Sequence, residues 1–392
     1  MARIILGITG SIAAYKALEL LRLLRKAGHE IIPVMTESAT KLITPLAVET
    51  LAAAPCHVYT FPAQRVFNPE HIDIVKQGEL MVTAPATANI IAKYRWGLAD
   101  DLLSLTALTW GLPHIIAPAM NYRMYGNPIY KENEAYLAAR GYEFIHPVRG
   151  QLADGETGWG KLAPVEDIFQ RVVARLETMG KLKGKRVLVS AGGNREMIDA
   201  VRCITNLSTG KMGYAMAREA SHRGADVVLV TASDMPPDFP CRAIGAVSSA
   251  EMKAAVEAQF SACDVLVMAA AVSDFRPAGT VQGKLERRGG PITIEFEPTD
   301  DILAGLKPLK EHRVVVGFAA EAGRDIDKIH VKLQAKGVDL LVVNDISRTD
   351  IGFAADENEV ELHRPGTEPI HLKKAGKVVI AGRIWDEIVK MM

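Results

Sequence analysis

Glycines, small hydroxyl residues, amides and one histidine gather at a few turns in the first half of this sequence, and these are the groups able to do chemistry. In GITGSIAAYK, Gly7 and Gly10 let the backbone approach an anion, and Ser11 opens a helix whose amides can hold a phosphate. The same residues also suit an ordinary strand-to-helix turn, and the run is not GxGxxG. In APATANIIAK, Thr87 and Asn89 stand at a second helix start, where an N-cap accounts for them equally well. APAMNYRMY is more informative: Asn121 and Met124 follow a buried strand, and an amide there can bind a carboxylate without adding charge. His71, in EHIDIVKQGELMVTAPAT, precedes a strand. It reads either as structural or as an acid–base group that titrates near neutral pH.

The second half offers a different set. SAGGNREMIDAVRCITNLSTGKMGYAMA contains an STGKMG run at a helix start. It is not a P-loop, because GKM lacks the Ser or Thr that ligates Mg²⁺ and no glycine lies at the required earlier position. What remains is a glycine-rich helix start suited to an anion. Asp274 ends a strand in AAAVSDFRP, Lys284 lies on a loop in QGKLERRG, and Phe318 ends a strand in VGFAAE. Single Asp and Lys residues on loops are usually solvated. In KLQAKGVDLLVVND, Lys332 and Lys336 share one helical face, as a solvated stripe or as a triphosphate clamp.

The elements that must position these residues alternate strand and helix. RIILGI, IAAYKALELLRLLRKAG and IIPVMT form a βαβ opening, and further strands are expected at 80–85, 114–119 and 142–147. After a helix near 166–179, MGKLKGKRVLVSAGG passes through a basic connector into a new apolar strand. The seam is placed at residue 182, giving domains 1–182 and 183–392, and 392 residues suit two domains of roughly 150 to 200 residues. The fold class is α/β: two Rossmann-like domains, each a mainly parallel sheet flanked by helices. With 48% hydrophobic and 23% charged residues, both halves should fold.

Formal charge is zero, and no basic run argues for nucleic acid or a membrane surface, so small molecules are the expected partners. The start MARIILGITGSIAAYK reads as a buried strand rather than an export signal, no apolar stretch is long enough to span a membrane, and Cys56, Cys203, Cys241 and Cys263 have neither metal-ligand nor disulfide spacing. A cytoplasmic protein is expected.

Taken together, GSIAAYK, HI before a strand, PATAN, DDLLS and PAMNxxM over residues 3–165 resemble the flavin-containing cysteine decarboxylases of the phosphopantothenoylcysteine decarboxylase type. The resemblance implies bound FMN, with its phosphate near Gly10 and Ser11 and further contacts at Ser38, Thr87, Asn89 and Ser104. It also implies that His71 is catalytic and that Asn121 binds the substrate carboxylate. A cysteine carboxylate has no electron sink, so a flavin that first oxidises the thiol carbon explains how carbon dioxide can leave. One departure stands out. Where the family's substrate lid carries Cys and Arg, GQLADGETGWGKL has Asp154 and Lys161. Asp154 is expected to supply the final proton once burial raises its pKa.

The run NxSTGKMG, AAAVSDF, GKL, VGFAAE, KLxxKxxD and VVND over residues 184–390 is similar to phosphopantothenoylcysteine synthetase, a partner domain fused to such decarboxylases in many bacteria. The resemblance implies that CTP activates 4'-phosphopantothenate as an acyl cytidylate, which cysteine then attacks, with Mg²⁺ as cofactor and unassigned metal ligands. It carries over Asp274, Lys284, Phe318, Lys332 and Lys336 as nucleotide-binding residues, with Lys284 also stabilising the developing phosphate charge and Asn206 acting on the intermediate. Gly193 and Asn194 replace a Thr common in the family, a change read as minor. The family implies a homo-oligomer, expected to be a dodecamer. Two other readings are a pair of nicotinamide-dependent oxidoreductase domains, for which neither half has the GxGxxG and distal acid, and a catalytically impaired regulatory flavoprotein.

Overall fold

The computed structural model describes residues 1–61, 69–110, 113–151, 155–281, 283–286, 292–321, 326–345, 347 and 355–392. It divides into two compact units, Met1–Met179 and Gly180–Met392.

The first unit runs β1 (Arg3–Ile8), α1 (Ala14–Lys26), β2 (Glu30–Met35), α2 (Glu37–Thr40), α3 (Pro45–Ala52), α4 (Glu70–Gln77), β3 (Leu80–Ala86), α5 (Ala88–Trp96), α6 (Leu102–Thr109), β4 (His114–Pro118), α7 (Tyr122–Tyr125), α8 (Pro128–Ala139), β5 (Glu143–Phe144), β6 (Val148–Gln151), β7 (Thr157–Lys161) and α9 (Val165–Thr178). Five strands form one parallel sheet in the order β2-β1-β3-β4-β5. Strand pleating sends Ile4, Leu6 and Ile8 to one face, against Leu20, Leu21 and Leu24 of α1. Ile5 points to the other face, beside Ile90, Leu103 and Ile116. In α1 the buried residues Ala17, Leu20, Leu21 and Leu24 recur at helical spacing, which is why this stretch is a helix with one face on the sheet. The strand expected at 142–147 shortens to two residues, and His71 lies within α4, a short helix ahead of β3 that the sequence reading had passed over.

The second unit runs β8 (Arg186–Ala191), β9 (Arg195–Met197), β10 (Cys203–Thr205), α10 (Lys211–His222), β11 (Asp226–Thr231), β12 (Arg242–Gly245), α11 (Ser249–Phe260), β13 (Val265–Met268), β14 (Phe275–Pro277), β15 (Phe296–Pro298), α12 (Ile302–Leu306), β16 (Val314–Glu321), α13 (Ile326–Lys336), β17 (Leu340–Asp345), β18 (Glu357–His363), β19 (Ile370–Gly376) and α14 (Lys377–Val389). Its eight-stranded sheet has the order β12-β11-β8-β13-β16-β17-β18-β19. Pairing is parallel from β12 to β17 and antiparallel from β17 to β19. Val187 and Val189 of β8 face α10 and α14, whereas Leu188 faces α11 and α12. Each unit is thus a helix–sheet–helix sandwich with two apolar layers, and in each the first strand lies inside the sheet. The chain winds outward from that strand in both directions, which leaves a crevice at its carboxyl end.

Candidate functional site

In the first unit the crevice lies beyond β1 and β3. Thr9 is buried there. Its Oγ1 donates to the Pro85 carbonyl at 2.7 Å and accepts the Thr87 amide at 3.0 Å, tying the two strand ends together. A Cβ on Gly10 would stand 2.5 Å from the Ser38 Cβ, so only glycine lets this turn approach the start of α2 so closely. The first helical residue of α1 is Ala14, no side chain caps its amides, and Ser11 Oγ reaches the Ala13 amide at 3.4 Å. Ser38 and Asn89 are exposed and Thr87 is half-buried, capping the Ile90 amide at 3.3 Å. Gly10, Ser11 and Thr87 therefore sit on the turns at the carboxyl ends of β1 and β3, Ser38 lies in α2 just after β2, and Asn89 lies at the start of α5.

Ser104 differs from the rest of the expected flavin set. It is buried and forms a capping box with Asp101, its hydroxyl donating to the Asp101 carbonyl at 3.0 Å. Its hydroxyl proton is engaged at the first turn of α6, and its oxygen accepts the Asp101 amide at 3.2 Å.

Asn121 caps α7 and accepts the Arg123 amide at 2.8 Å. The β6–β7 hairpin lies directly on this loop: the Met120 amide donates to the Gly160 carbonyl at 3.0 Å, and a Cβ on Gly160 would meet the Met120 oxygen at 2.2 Å. Gly158 is as tight against Tyr122, 2.5 Å from its Cβ. The lid segment thus springs from a hairpin seated on the residue expected to hold the carboxylate. Asp154 itself lies outside the described residues. His71 is half-buried in the first turn of α4, whose neighbouring Glu70 pairs with His57 at 2.5 Å. His114, at the amino end of β4 and so away from the crevice, is buried against Thr83 Oγ1 at 2.8 Å, and burial drives its pKa down to about 3, so it is a neutral structural group.

In the second unit a cavity of about 500 Å³ opens at the carboxyl ends of β13 and β16 and gathers Asn206, Asp274, Phe318, Lys332 and Lys336. Two glycines shape the STGKMG turn at its rim. Gly210 adopts φ +82° ahead of α10, and a Cβ on Gly213 would lie 2.6 Å from the Ala191 Cβ, so this glycine lets α10 pack closely on β8. The Asn206 amide donates to the carbonyls of Ala271 and Val272, each at 3.2 Å. Lys332 pairs with Glu321 and Lys336 with Asp301 at 3.6 Å, so neither cation of the expected clamp is bare. Lys284, on an exposed segment, is not part of the cavity wall.

The cavity also contains residues the sequence reading missed. Lys377, the first residue of α14, is buried in its wall beside Lys211. Burial, and then the Lys211 charge, pull its pKa down to about 8, against the opposing pull of Asp356. The only cue in the sequence was a lysine directly after Gly376. Gly193 is closely packed, a Cβ there standing 2.5 Å from the Asn206 oxygen. Asn194 is fully buried, and its amide donates to the carbonyls of Ala246, Val247 and Ser248 at 3.4, 3.1 and 3.0 Å.

Among the described residues no group of three His, Cys, Asp or Glu side chains is placed to hold a metal, and no helix is long and apolar enough to cross a membrane. An ion carried chiefly by nucleotide phosphates needs only one or two carboxylates, and Asp274, Asp300 and Asp301 line the cavity.

Residues 1–177 match the family described as Flavoprotein, and residues 182–392 match the DNA/pantothenate metabolism flavoprotein C-terminal domain. Over its whole length the chain is similar to relatives called coenzyme A biosynthesis bifunctional protein CoaBC. That of Bacillus subtilis is 39% identical over 394 residues, spanning 99% of this chain and 97% of the relative. The Mycobacterium tuberculosis protein is 40% identical over 408 residues, with 100% and 97% covered, and the Escherichia coli K12 protein 35% over 393, with 99% and 96%. The crystal structure of the C-terminal domain of such a protein is 34% identical, covers 54% of this chain and 97% of that one, and gives a TM-score of 0.46.

Proposed function

The chain belongs to the bifunctional coenzyme A biosynthesis proteins, flavoprotein decarboxylase joined to phosphopantothenate–cysteine ligase, and from that premise we propose how its own residues divide the work. The observation that carries the proposal is the clustering of expected site residues in each half, around the β1–β3 crevice and around the ligase cavity. The reading as nicotinamide-dependent oxidoreductases has no support beside it.

In the decarboxylase half, Gly10, Ser11 and the first amides of α1 hold the FMN phosphate, with Ser38, Thr87 and Asn89 around it. FMN, when bound, accepts a hydride from the substrate and later returns it. Asn121 orients the carboxylate that leaves as carbon dioxide, His71 moves a proton, and the lid from the β6–β7 hairpin keeps water out. The final proton comes from Asp154. The one cysteine of this half, Cys56, is no substitute for a lid thiol, since burial, reinforced by Glu49, pushes its pKa up to about 12. If Asp154→Asn forms phosphopantetheine as fast as wild type, another group supplies that proton.

In the ligase half, CTP activates the phosphopantothenate carboxylate and pyrophosphate departs. Lys332 and Lys336 exchange Glu321 and Asp301 for phosphate oxygens, and Asp274, Asp300 and Asp301 would hold Mg²⁺, which would supply charge stabilisation to the nucleotide phosphates. Lys284 moves in to balance the charge that develops as the phosphates part. Asn206 turns its amide from the Ala271 and Val272 carbonyls to the acyl cytidylate, holding it for attack by the cysteine amine and loss of CMP.

Exposed apolar side chains such as Ile12, Tyr15 and Trp96 support assembly through the first half. Trimers there and dimers of the ligase half close into a dodecamer, in a soluble cytoplasmic enzyme. Purified protein incubated with phosphopantothenate, cysteine, CTP and Mg²⁺ should yield phosphopantetheine, CMP and pyrophosphate by mass. A colourless monomer that makes neither conjugate nor product would refute the reading.

A further inference from the structure

Lys284 lies between β14 and β15, and described residues on both sides of it are fixed. The Val281 amide donates to the Ile198 carbonyl at 3.1 Å, and the Gly283 carbonyl accepts the Ala200 amide at 3.0 Å. The Leu285 amide donates to Asp199 Oδ2 at 3.1 Å, and the Leu285 carbonyl accepts Arg202 Nη1 at 3.3 Å. All four contacts end on the turn between β9 and β10.

Asp199 is the centre of that turn. Its side chain is fully buried, Oδ1 accepts the amides of Val201 and Arg202, each at 2.8 Å, and Oδ2 takes the Arg202 guanidinium as well as the Leu285 amide. Burial alone would raise its pKa, but the Val201 and Leu285 amides and Arg202 outweigh it and hold the carboxyl down to about 2. A buried carboxylate with this many donors is rigid and costly to disturb. The same turn leads through β10 straight into Asn206.

We propose that Asp199 is a positioning residue for acid activation: its carboxylate pins the Lys284 segment to the hairpin that delivers Asn206 to the cavity. The inference rests on the role given to Lys284 above. Asp199 touches no reactant. It fixes the point from which the Lys284 side chain reaches, so that the ammonium needs only a side-chain rotation to meet the phosphates.

The test measures pyrophosphate release by the full-length chain from CTP and phosphopantothenate without cysteine. Asp199→Asn keeps the side-chain size but loses the charge and one acceptor. Gly283→Ala disturbs the strap itself, at φ +85° with nothing within 4 Å of the new Cβ, and leaves the turn intact. Both should lower the single-turnover rate of pyrophosphate release on the order of 10- to 100-fold, as a misplaced catalytic group does, while the CTP concentration giving half the maximal rate stays within about 3-fold, which also shows that the ligase half is folded. Trypsin should cut after Lys284 faster in both. In a Lys284→Gln background, either change should cost less than about 2-fold more, because coupled residues are not additive. Equal losses in both backgrounds, or a fast Asp199→Asn beside a slow Lys284→Gln, would overturn the positioning role alone. Lys284→Gln at wild-type speed would remove the Lys284 assignment and the positioning role with it.

Discussion

Replacing Gly10 with alanine should release FMN from a protein that remains folded. The added Cβ would stand 2.5 Å from the Ser38 Cβ and 3.2 Å from the Ser38 carbonyl carbon, whereas carbon atoms rest at about 3.5–4.0 Å. The Gly10 turn and the start of α2 must part by about 1 Å, and overpacking of this kind costs about 1–3 kcal/mol. Gly10 and Ser38 are both exposed, so without flavin the turn can spring outward and shed most of that strain. Holding the phosphate requires the closed turn, so the cost falls on binding, and about 1–3 kcal/mol there is a 5- to 150-fold rise in Kd. The assay is flavin absorbance per protein after gel filtration, followed by fluorescence titration of the apoprotein with FMN. Ligation of cysteine to phosphopantothenate in the same sample reports on folding. Unchanged FMN affinity in Gly10→Ala would show that the phosphate does not seat at this turn.

Three further outcomes are expected. His71→Asn should lower decarboxylation of supplied phosphopantothenoylcysteine by about 10²- to 10⁴-fold with ligation intact; loss of both activities in a folded variant would contradict the division of labour. Asn206→Asp should still release pyrophosphate but accumulate the acyl cytidylate, detectable by mass, and normal conversion to conjugate would clear Asn206 of that role. His114 should make stability fall in mild acid. Its folded pKa is lowered to about 3 by burial, so below its ordinary pKa of about 6.5 the unfolded chain takes a proton that the folded chain refuses until near pH 3. Stability is therefore lost as pH falls through that window, by up to about 1.4 kcal/mol per pH unit. Urea midpoints that track in parallel for wild type and His114→Gln between pH 7 and 4 would exclude this.

The first strands of both units were legible because runs such as RIILGI and RVLVSA are short, apolar and followed by glycine turns, and a buried parallel strand needs little else. Helix α4 was not, since its eight residues bury only Ile74, too little for a periodic pattern. Strand β18 alternates in burial and β19 buries only Leu372, and their polar residues hid them among loop-like sequence. At the sites, residue types pointed to the correct strand ends, but pairing did not show. Glu321 and Asp301 approach Lys332 and Lys336 only because parallel strands bring distant segments to one edge of the sheet. Lys377 reaches the cavity for the same reason, through an antiparallel return the sequence reading had not anticipated. The tie from Asp199 to Leu285 likewise joins residues far apart in the chain.

Asn194 bears on how segments could be exchanged between relatives. Its amide serves three carbonyls of the 246–248 stretch, and the backbone beside it joins in, the Arg195 amide reaching the Val247 carbonyl at 2.9 Å. A threonine offers one hydroxyl proton where the Asn194 amide offers two, so Asn194→Thr would lose at least one of these hydrogen bonds, at a cost of about 0.5–1.5 kcal/mol. A chimera that takes the 192–195 turn from a threonine-bearing relative should therefore need that relative's 246–248 stretch as well. The two segments, distant in the chain, behave as one heritable piece.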